Sequence, residues 1–488
     1  MTIGQIINQV KENDPQVDTD LLQLAYDFAE KAHKGQKRMN GEPYIQHSLH
    51  TAFLLARMKT DLATIIAGLL HDVPEDTNTT IEEIKKNFGS EIAGLVHGIT
   101  KLGKIKYRGV ERYRENLRKM FLAMAEDLRV ILIKFCDRLH NLRTLDALPE
   151  EKRQRIARET LEIYAPIAGL LGIWRLKWQM EDLCFKHLYP EEFKKLLYKY
   201  EVEKKVERNQ YIQKIKNTLG QKLKEEGIEY RIEGRFKHLY SIYKKMQLKD
   251  RKFDEILDVF ALRIIVPTIP DCYKALGIIH TIWRPKVGRI KDYIAVPKPN
   301  GYRSLHTTVF GINNQSTEFQ IRTEEMDEEG HYGIAAHWYY KQKSGSDYHD
   351  ERQPAWVKEI LAILRQEGED NDFVKEIKLD IFHNRIFVFT PKGDVFDLPE
   401  DSTPIDFAYA VHTEIGNKAT GALVNNKMVP LDHALKNGDL AEIIIDKRRK
   451  GPSRDWLKFV KTHRAKEKII HYTNESKFMQ FKKMFPKI

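Results

Sequence analysis

The sequence predicts a three-part chain: an all-helical first half, a mixed α/β middle and a small mixed sheet unit, followed by a basic end. Three observations carry this. Apolar residues recur at helical spacing up to about residue 195, with few glycines or prolines. Unbroken apolar runs bounded by polar residues begin near residue 256. Short alternating segments punctuated by turn residues begin near residue 384. A length of 488 residues is enough for about three domains. A hydrophobic content of 42% supplies packed cores and excludes a disordered chain.

In the first half, Leu21–Ala32, Ser48–Leu70 and Ile81–Val96 read as helices, and Tyr189-Pro190 closes the region. Residues 196–230, dense in Lys and Glu, read as an exposed linking helix. Ile256–Val266 and Thr317–Arg322 read as buried strands of a mixed α/β domain spanning 196–342. Residues 343–383 read as a polar connector carrying a helix around Trp356–Leu364. In the third unit, 384–446, Arg385–Thr390 and Val395–Leu398 form a hairpin around Pro391–Asp394. Pro404 opens a short helix, and strands follow at Ala422–Asn425 and Leu440–Ile445, giving a small sheet crossed by one helix.

The net charge is +11, and the stretch from Asp446 to Ile488 alone, with 14 Lys/Arg against 4 Asp/Glu, supplies +10 of it. Trp456, Phe459, Tyr472 and Phe478 are interleaved with these cations, so this end is expected to meet a polyanion, RNA above all. No run of 18 apolar residues and no secretory leader occurs, which predicts a cytoplasmic protein with no membrane partner. Cys136, Cys184 and Cys272 have neither metal nor redox spacing and fit a reducing compartment.

Two polar clusters interrupt the apolar pattern. In the first, His71-Asp72 ends the apolar helix LATIIAGLLHD, and burying both groups unpaired would be costly. His47 lies upstream at the start of a helix, and Asp137 follows the apolar stretch VILIKFC. Together they form an N/O donor set suited to Mn²⁺, Fe²⁺ or Zn²⁺. Glu75 and Asp76, one helical turn beyond His71-Asp72, are placed to activate or orient a metal-bound water. The nearby GITKLGKI, residues 98–105, nearly matches a phosphate-binding loop, but it lacks the terminal hydroxyl and follows a helical segment, so it is set aside.

In the second cluster, Asp258 and Glu318 interrupt buried strands. Between them, GRIKDYIAVPKPNGYRSLHTTV concentrates Arg289, Lys291, Lys298, Asn300, Tyr302 and His306, and GRFKHLYSIYKKM lies ahead with Arg235, Lys237, Ser241 and Lys245. Phosphoryl-group chemistry needs this combination: cations for phosphate oxygens, an acid for Mg²⁺, a base for a hydroxyl, and an aromatic ring for a nucleobase.

HDVPEDT resembles the guanosine tetraphosphate hydrolase branch of the HD phosphohydrolases. The second cluster, with EFQIRT and GIAAHWYYK, resembles the synthetase domain of the Rel/Spo family, the bifunctional (p)ppGpp synthetase/hydrolases of the bacterial stringent response. FVFTPKGDVFDLPEDSTPIDFAYAVHTEIG looks like a TGS domain. The resemblance implies an all-α HD-type hydrolase domain (1–195), a mixed α/β nucleotidyltransferase-like synthetase domain, a small β-grasp TGS domain, and the start of a basic helical region (447–488). It implies pyrophosphate transfer from ATP to the 3′-hydroxyl of GDP or GTP, and Mn²⁺-dependent hydrolysis of (p)ppGpp.

By the same resemblance, Asp258 holds Mg²⁺ and Glu318 assists it or acts as base. Arg235 stacks near adenine, and Lys237, Ser241 and Lys245 serve the ATP side. Tyr302 stacks on guanine, with Lys291, Lys298 and Asn300 nearby, and Arg289 and His306 are further substrate-binding residues of this site. His47, His71, Asp72 and Asp137 hold Mn²⁺, with Glu75 and Asp76 catalytic, while Arg38, Asn141 and Thr144 hold the guanosine part. His412 is the expected contact to uncharged tRNA on the ribosome. Met39, where the family has a basic residue, and Gly169-Leu170, where it has a polar-Arg pair, depart from the pattern. The rival readings are a synthetase with a vestigial hydrolase, and a non-catalytic ribosome-binding regulator. Full-length relatives continue further, so a short or truncated form is expected. The opposed activities are expected to exclude one another through residues 150–230.

Overall fold

The computed structural model describes residues 1–103, 120, 122–124, 126–200, 205–235, 238–249, 260–298, 301–333, 385–391, 394–436, 438–449, 451–462 and 464–473. The chain forms two compact units, Met1–Arg365 and Gln366–Ile488. No described helix is long and apolar enough to cross a membrane. Asp258, Lys237, Asn300, Phe478 and the expected helix at 356–364 lie outside the described residues.

The first part of unit one is helical, as its periodicity predicts. Ile45–Arg57, Leu62–Leu70 and Leu128–Arg143 pack together. The middle helix is apolar on every face and is buried along most of its length, through Ile65, Ile66, Leu69 and Leu70. Asp61 caps its start, accepting from Thr64 N at 2.8 Å. The helix crossing is close because Gly68 lacks a side chain: a Cβ there would lie 2.3 Å from Leu55 Cδ1. Gly68→Ala is therefore expected to push Leu55 off its rotamer and cost about 1–3 kcal/mol, read as a lower unfolding temperature. Residues 98–103 belong to the helix Ile81–Gly103, so that part of the apparent phosphate loop is helical.

Beyond residue 205 a five-stranded sheet forms in the order β1 (Arg231–Arg235), β2 (Phe260–Val266), β5 (Ser316–Thr323), β4 (Leu305–Phe310), β3 (Lys291–Asp292). β2 and β5 run parallel and the other neighbours antiparallel. One face, with Leu262, Ile264, Phe319, Ile321, Leu305 and Val309, is a closed core. The helices Lys205–Glu225 and Ile269–Ile282 cover it, and each large side chain fully buried there contributes about 1.5–3 kcal/mol. The expectation of an exposed linking helix at 196–230 is thereby corrected. Tyr211, Ile215, Leu219 and Leu223 recur every four residues, and all four are buried in the sheet core. Dense Lys and Glu on the other faces mask that stripe in the sequence.

The helical part and the sheet part meet within unit one. Phe185 of Trp174–Leu188 stacks on Tyr243 of Leu239–Lys249 at 4.6 Å. Trp178 stacks on His238 at 4.3 Å, and Asp182 accepts from Tyr240 N at 2.9 Å. Lys59 pairs with Glu328 at 2.5 Å, and Arg175 donates to the Tyr332 hydroxyl at 3.2 Å.

Unit two holds the hairpin β6 (Arg385–Phe389) and β7 (Val395–Pro399), and the sheet β10 (Ala441–Ile445), β8 (Ala419–Val424), β9 (Lys427–Val429). A parallel bridge from Phe389 to Leu440 joins them. The single expected helix is two, Pro404–Val411 and Thr413–Lys418, because His412 is extended (φ −162°, ψ 140°) and caps the second. Asp406 is buried and accepts from Thr403 N, Lys461 N and Thr462 N, which ties the basic end to this unit. Trp456, read in the sequence as a face for RNA, is 6% exposed and packs in a core with Ile405, Tyr409 and Val460. Its aromatic character serves packing.

Candidate functional sites

At the first cluster the chain gathers His47, third residue of Ile45–Arg57, His71, at the C-cap of Leu62–Leu70, and Asp137 of Leu128–Arg143. One donor atom from each lies within 4.8 Å of the others, and all three residues are buried. Asp72 joins them, its Oδ2 3.4 Å from His47 Nε2 and its Oδ1 3.2 Å from His71 Nε2.

Hydrogen bonding sets the tautomers. His71 Nδ1 lies 2.8 Å from Gly68 O, a carbonyl that can only accept, so Nδ1 carries the proton. Its Nε2 lone pair is then buried without a partner. Arg38 Nη1 lies 3.3 Å from His140 Nδ1, and a guanidinium only donates, so His140 Nδ1 is an acceptor. His47 Nδ1, 2.7 Å from the same atom, must therefore donate to it. The Nε2 lone pair of neutral His47 then faces Asp72 and Asp137, the latter at 3.3 Å. Two imidazole lone pairs converging with two carboxylates is an arrangement that a divalent cation satisfies. Burial alone would raise the Asp137 carboxyl, but the Lys134 ammonium at 2.7 Å opposes this most strongly and holds it below the usual carboxylate range.

His140 is 4% exposed, and burial, with His47 and His50 adding, pushes its pKa down to about 2. It was not singled out in the sequence, although it stands three residues after Asp137 on the same helix face. His140→Phe keeps the ring and removes the acceptor. It is expected to weaken divalent-cation binding about 10–100-fold in a Mn²⁺ titration.

Arg38, Asn141 and Thr144 meet directly. Arg38 Nη2 donates to Asn141 Oδ1, Arg38 Nη1 to Thr144 Oγ1 at 3.3 Å, and Asn141 Nδ2 to Asp137 Oδ1 at 2.5 Å. Glu75 and Asp76 are the two exposed residues of the four-residue helix Val73–Asp76, whose Val73 is buried. Desolvation raises the Glu75 carboxyl most, opposed by Lys134 and aided by Asp72. Tyr44, which the sequence did not flag, donates towards Asp76 Oδ2 at 2.5 Å and lies 3.0 Å from Asp72 Oδ2. Met39 is 73% exposed, and at Gly169 the Lys177 stem fills the space a side chain would take, its Cδ 3.1 Å from an added Cβ.

At the second cluster, strand periodicity does the placing. Along TEFQIRT, Phe319 and Ile321 face the core, so Glu318, Gln320 and Arg322 share the opposite face. His306 on β4 is in register with Gln320 and with Lys291 on β3. Tyr302 OH lies 2.9 Å from His306 Nε2, and His306 Nδ1 faces Glu318 Oε1 at 3.4 Å. Lys298 Nζ stands 5.3 Å from the centre of the Tyr302 ring and 4.8 Å from that of Tyr293. Burial pushes the His306 imidazole down, with Glu318 opposing.

Arg235 ends β1 in a cross-strand row with Ala261, Glu318 and Thr308. Ser241 and Lys245 lie one turn apart on Leu239–Lys249, and Arg289 is exposed in the turn before β3. In unit two, His412 is exposed, and its Nδ1 accepts from Glu414 N at 3.2 Å.

Residues 25–174 match the HD domain, 234–345 the region found in RelA / SpoT proteins, and 386–445 the TGS domain. Over 474 residues the chain is 45% identical to the bifunctional (p)ppGpp synthase/hydrolase SpoT of Escherichia coli, covering 96% of this chain and 67% of that one. The chain belongs to the Rel/Spo family. A GTP pyrophosphokinase of Myxococcus xanthus is 48% identical over 94% of this chain and 61% of its own length. A guanosine-3′,5′-bis(diphosphate) 3′-pyrophosphohydrolase of Aquifex aeolicus is 48% identical over 92% and 64%. The chain thus spans about three fifths to two thirds of the length of these curated relatives. It carries the family's helical HD domain, sheet-bearing synthetase domain and TGS domain together.

Proposed function

We propose that this chain both makes and breaks down (p)ppGpp, each reaction at its own site. The supporting observation is the coexistence in unit one of the His47–His71–Asp137 donor set and the polar Glu318–Gln320–Arg322 strand face.

In synthesis, Glu318 accepts the proton of the 3′-hydroxyl of GDP or GTP. The freed oxygen bonds to the β-phosphorus of ATP, and the bond to the α-phosphate breaks, so AMP leaves. The Tyr302 ring stacks on guanine, with Lys298, Lys291, Asn300 and His306 about it. Arg235, Lys237, Ser241 and Lys245 serve ATP, and Arg289 the phosphates at the rim. Mg²⁺ at Asp258 carries over from the family pattern.

In breakdown, His47, His71, Asp72 and Asp137 would hold the divalent cation, for which Mn²⁺ is the proposed choice. When bound, it supplies Lewis-acid activation of water and phosphate. Arg38, with Asn141 and Thr144, orients the guanosine part. Glu75 and Asp76 take up and return protons at the rim, with Tyr44 holding Asp76. The TGS unit, through exposed His412, and the basic end would meet uncharged tRNA on the ribosome. The contacts of Trp174–Leu188 with the synthetase part supply a route for mutual exclusion of the two reactions.

Incubating the chain with ATP plus GDP or GTP, and separately with ppGpp with and without Mn²⁺, followed by anion-exchange chromatography, tests this. Alarmone formation together with Mn²⁺-dependent release of pyrophosphate is expected. A flat time course in either direction rejects the corresponding half.

A further inference from the structure

Arg322 is 3% exposed, yet its guanidinium lies on the catalytic face of β5. Its Nη2 donates to the Tyr302 hydroxyl at 3.2 Å and to Gln320 Oε1 at 2.8 Å. A guanidinium has no acceptor, so both bonds have a fixed direction. With Oε1 turned to Arg322, the Gln320 amide presents Nε2 to Glu318 Oε1, at 3.1 Å. The second path is fixed from both ends. The Glu318 carboxylate can only accept, so the neutral His306 ring presents Nδ1–H to it at 3.4 Å. His306 Nε2 is then the acceptor for the Tyr302 hydroxyl proton, at 2.9 Å. The 3.4 Å contact is longer than a formed hydrogen bond, as catalytic contacts commonly are before substrate closes the site.

We infer that Arg322 is a positioning residue of the synthetase site: two directed paths run from it to Oε1 of Glu318, one of hydrogen bonds through Gln320, and one through Tyr302 and His306 whose last step is the 3.4 Å His306–Glu318 contact. This rests on the reading of Glu318 as the base. It gives Tyr302 a second task, since its hydroxyl relays while its ring stacks. The guanidinium is itself held. Asp327 Oδ1 lies 3.5 Å from Nη1, and Gly330 leaves the room it needs, because a Cβ there would come within 2.5 Å of Nη1.

The test uses the full chain. Tyr302→Phe cuts one chain and keeps the ring, Gln320→Leu cuts the other, and Arg322→Gln cuts both. Each single cut is expected to lower kcat for synthesis about tenfold, with KM for ATP within about threefold. Adding Arg322→Gln to the Tyr302→Phe/Gln320→Leu double variant should cost nothing more. A merely structural Arg322 would give full additivity and a fall in unfolding temperature without the kcat split, and that result overturns the inference. If Arg322→Gln does not fold, the double variant decides: wild-type kcat in it is equally fatal. A readout independent of turnover separates this from failure of the functional reading. In ¹⁵N-histidine-labelled protein, with His306 assigned through His306→Gln, the ring should be the neutral Nδ1–H tautomer and should lose that preference in Tyr302→Phe. An Nε2–H ring in the wild type overturns the inference even if no alarmone is made.

Discussion

Glu318→Gln is expected to lower kcat for alarmone synthesis by about 10²–10⁴-fold while breakdown of ppGpp stays within about twofold. The substitution is nearly isosteric, so the β5 ladder to β2 and β4 persists. What changes is chemical. An amide cannot accept the 3′-hydroxyl proton, and its NH₂ group would replace an oxygen that now faces two donors, Gln320 Nε2 and His306 Nδ1. Donor would meet donor unless the amide turns, and either orientation lacks the negative charge. Steady-state kinetics in both directions, with the unfolding temperature as control, check this. Synthesis at wild-type rate would remove Glu318 from the mechanism.

The second large effect is on breakdown. His71→Ala should cut Mn²⁺ affinity and ppGpp hydrolysis by at least about 10²-fold, leaving synthesis in place. His71 is fully buried, its Nδ1 is committed to Gly68 O, and its Nε2 makes no hydrogen bond although Asp72 lies 3.2 Å away, so a packing role does not explain it. Its removal leaves Asp72 and Asp137 facing His47 without a second neutral donor, while Lys134 neutralises only Asp137. Mn²⁺ titration followed by calorimetry gives the affinity, and chromatography the activity. Unchanged metal binding would mean that the cation sits elsewhere.

Much of this was legible before any fold was known. His47, His71-Asp72 and Asp137 stood out because imidazoles and carboxylates beside apolar helical runs are costly to bury without a partner. TEFQIRT alternates apolar and polar residues, which fixes which of them face the core once it is read as a strand. His140, Tyr44 and Arg322 were missed. Their partners are not sequence neighbours on a periodic face: His140 meets His47 across 93 positions, Tyr44 meets Asp72 across 28, and Arg322 reaches Tyr302 across 20. Trp456 and the helix Lys205–Glu225 misled because their apolar residues are set among many cations, and composition averages over faces that packing separates.

The residue order alone determined the three-part architecture and the types of donor atom available to each site, because periodicity and side-chain chemistry are local properties. Only the tertiary structure decided which nitrogen of His47, His71 and His306 faces which partner, which aromatic rings are core, and which guanidinium sits beside Tyr302 and Gln320. Those outcomes depend on directional hydrogen bonds between elements that the chain brings together only when it packs.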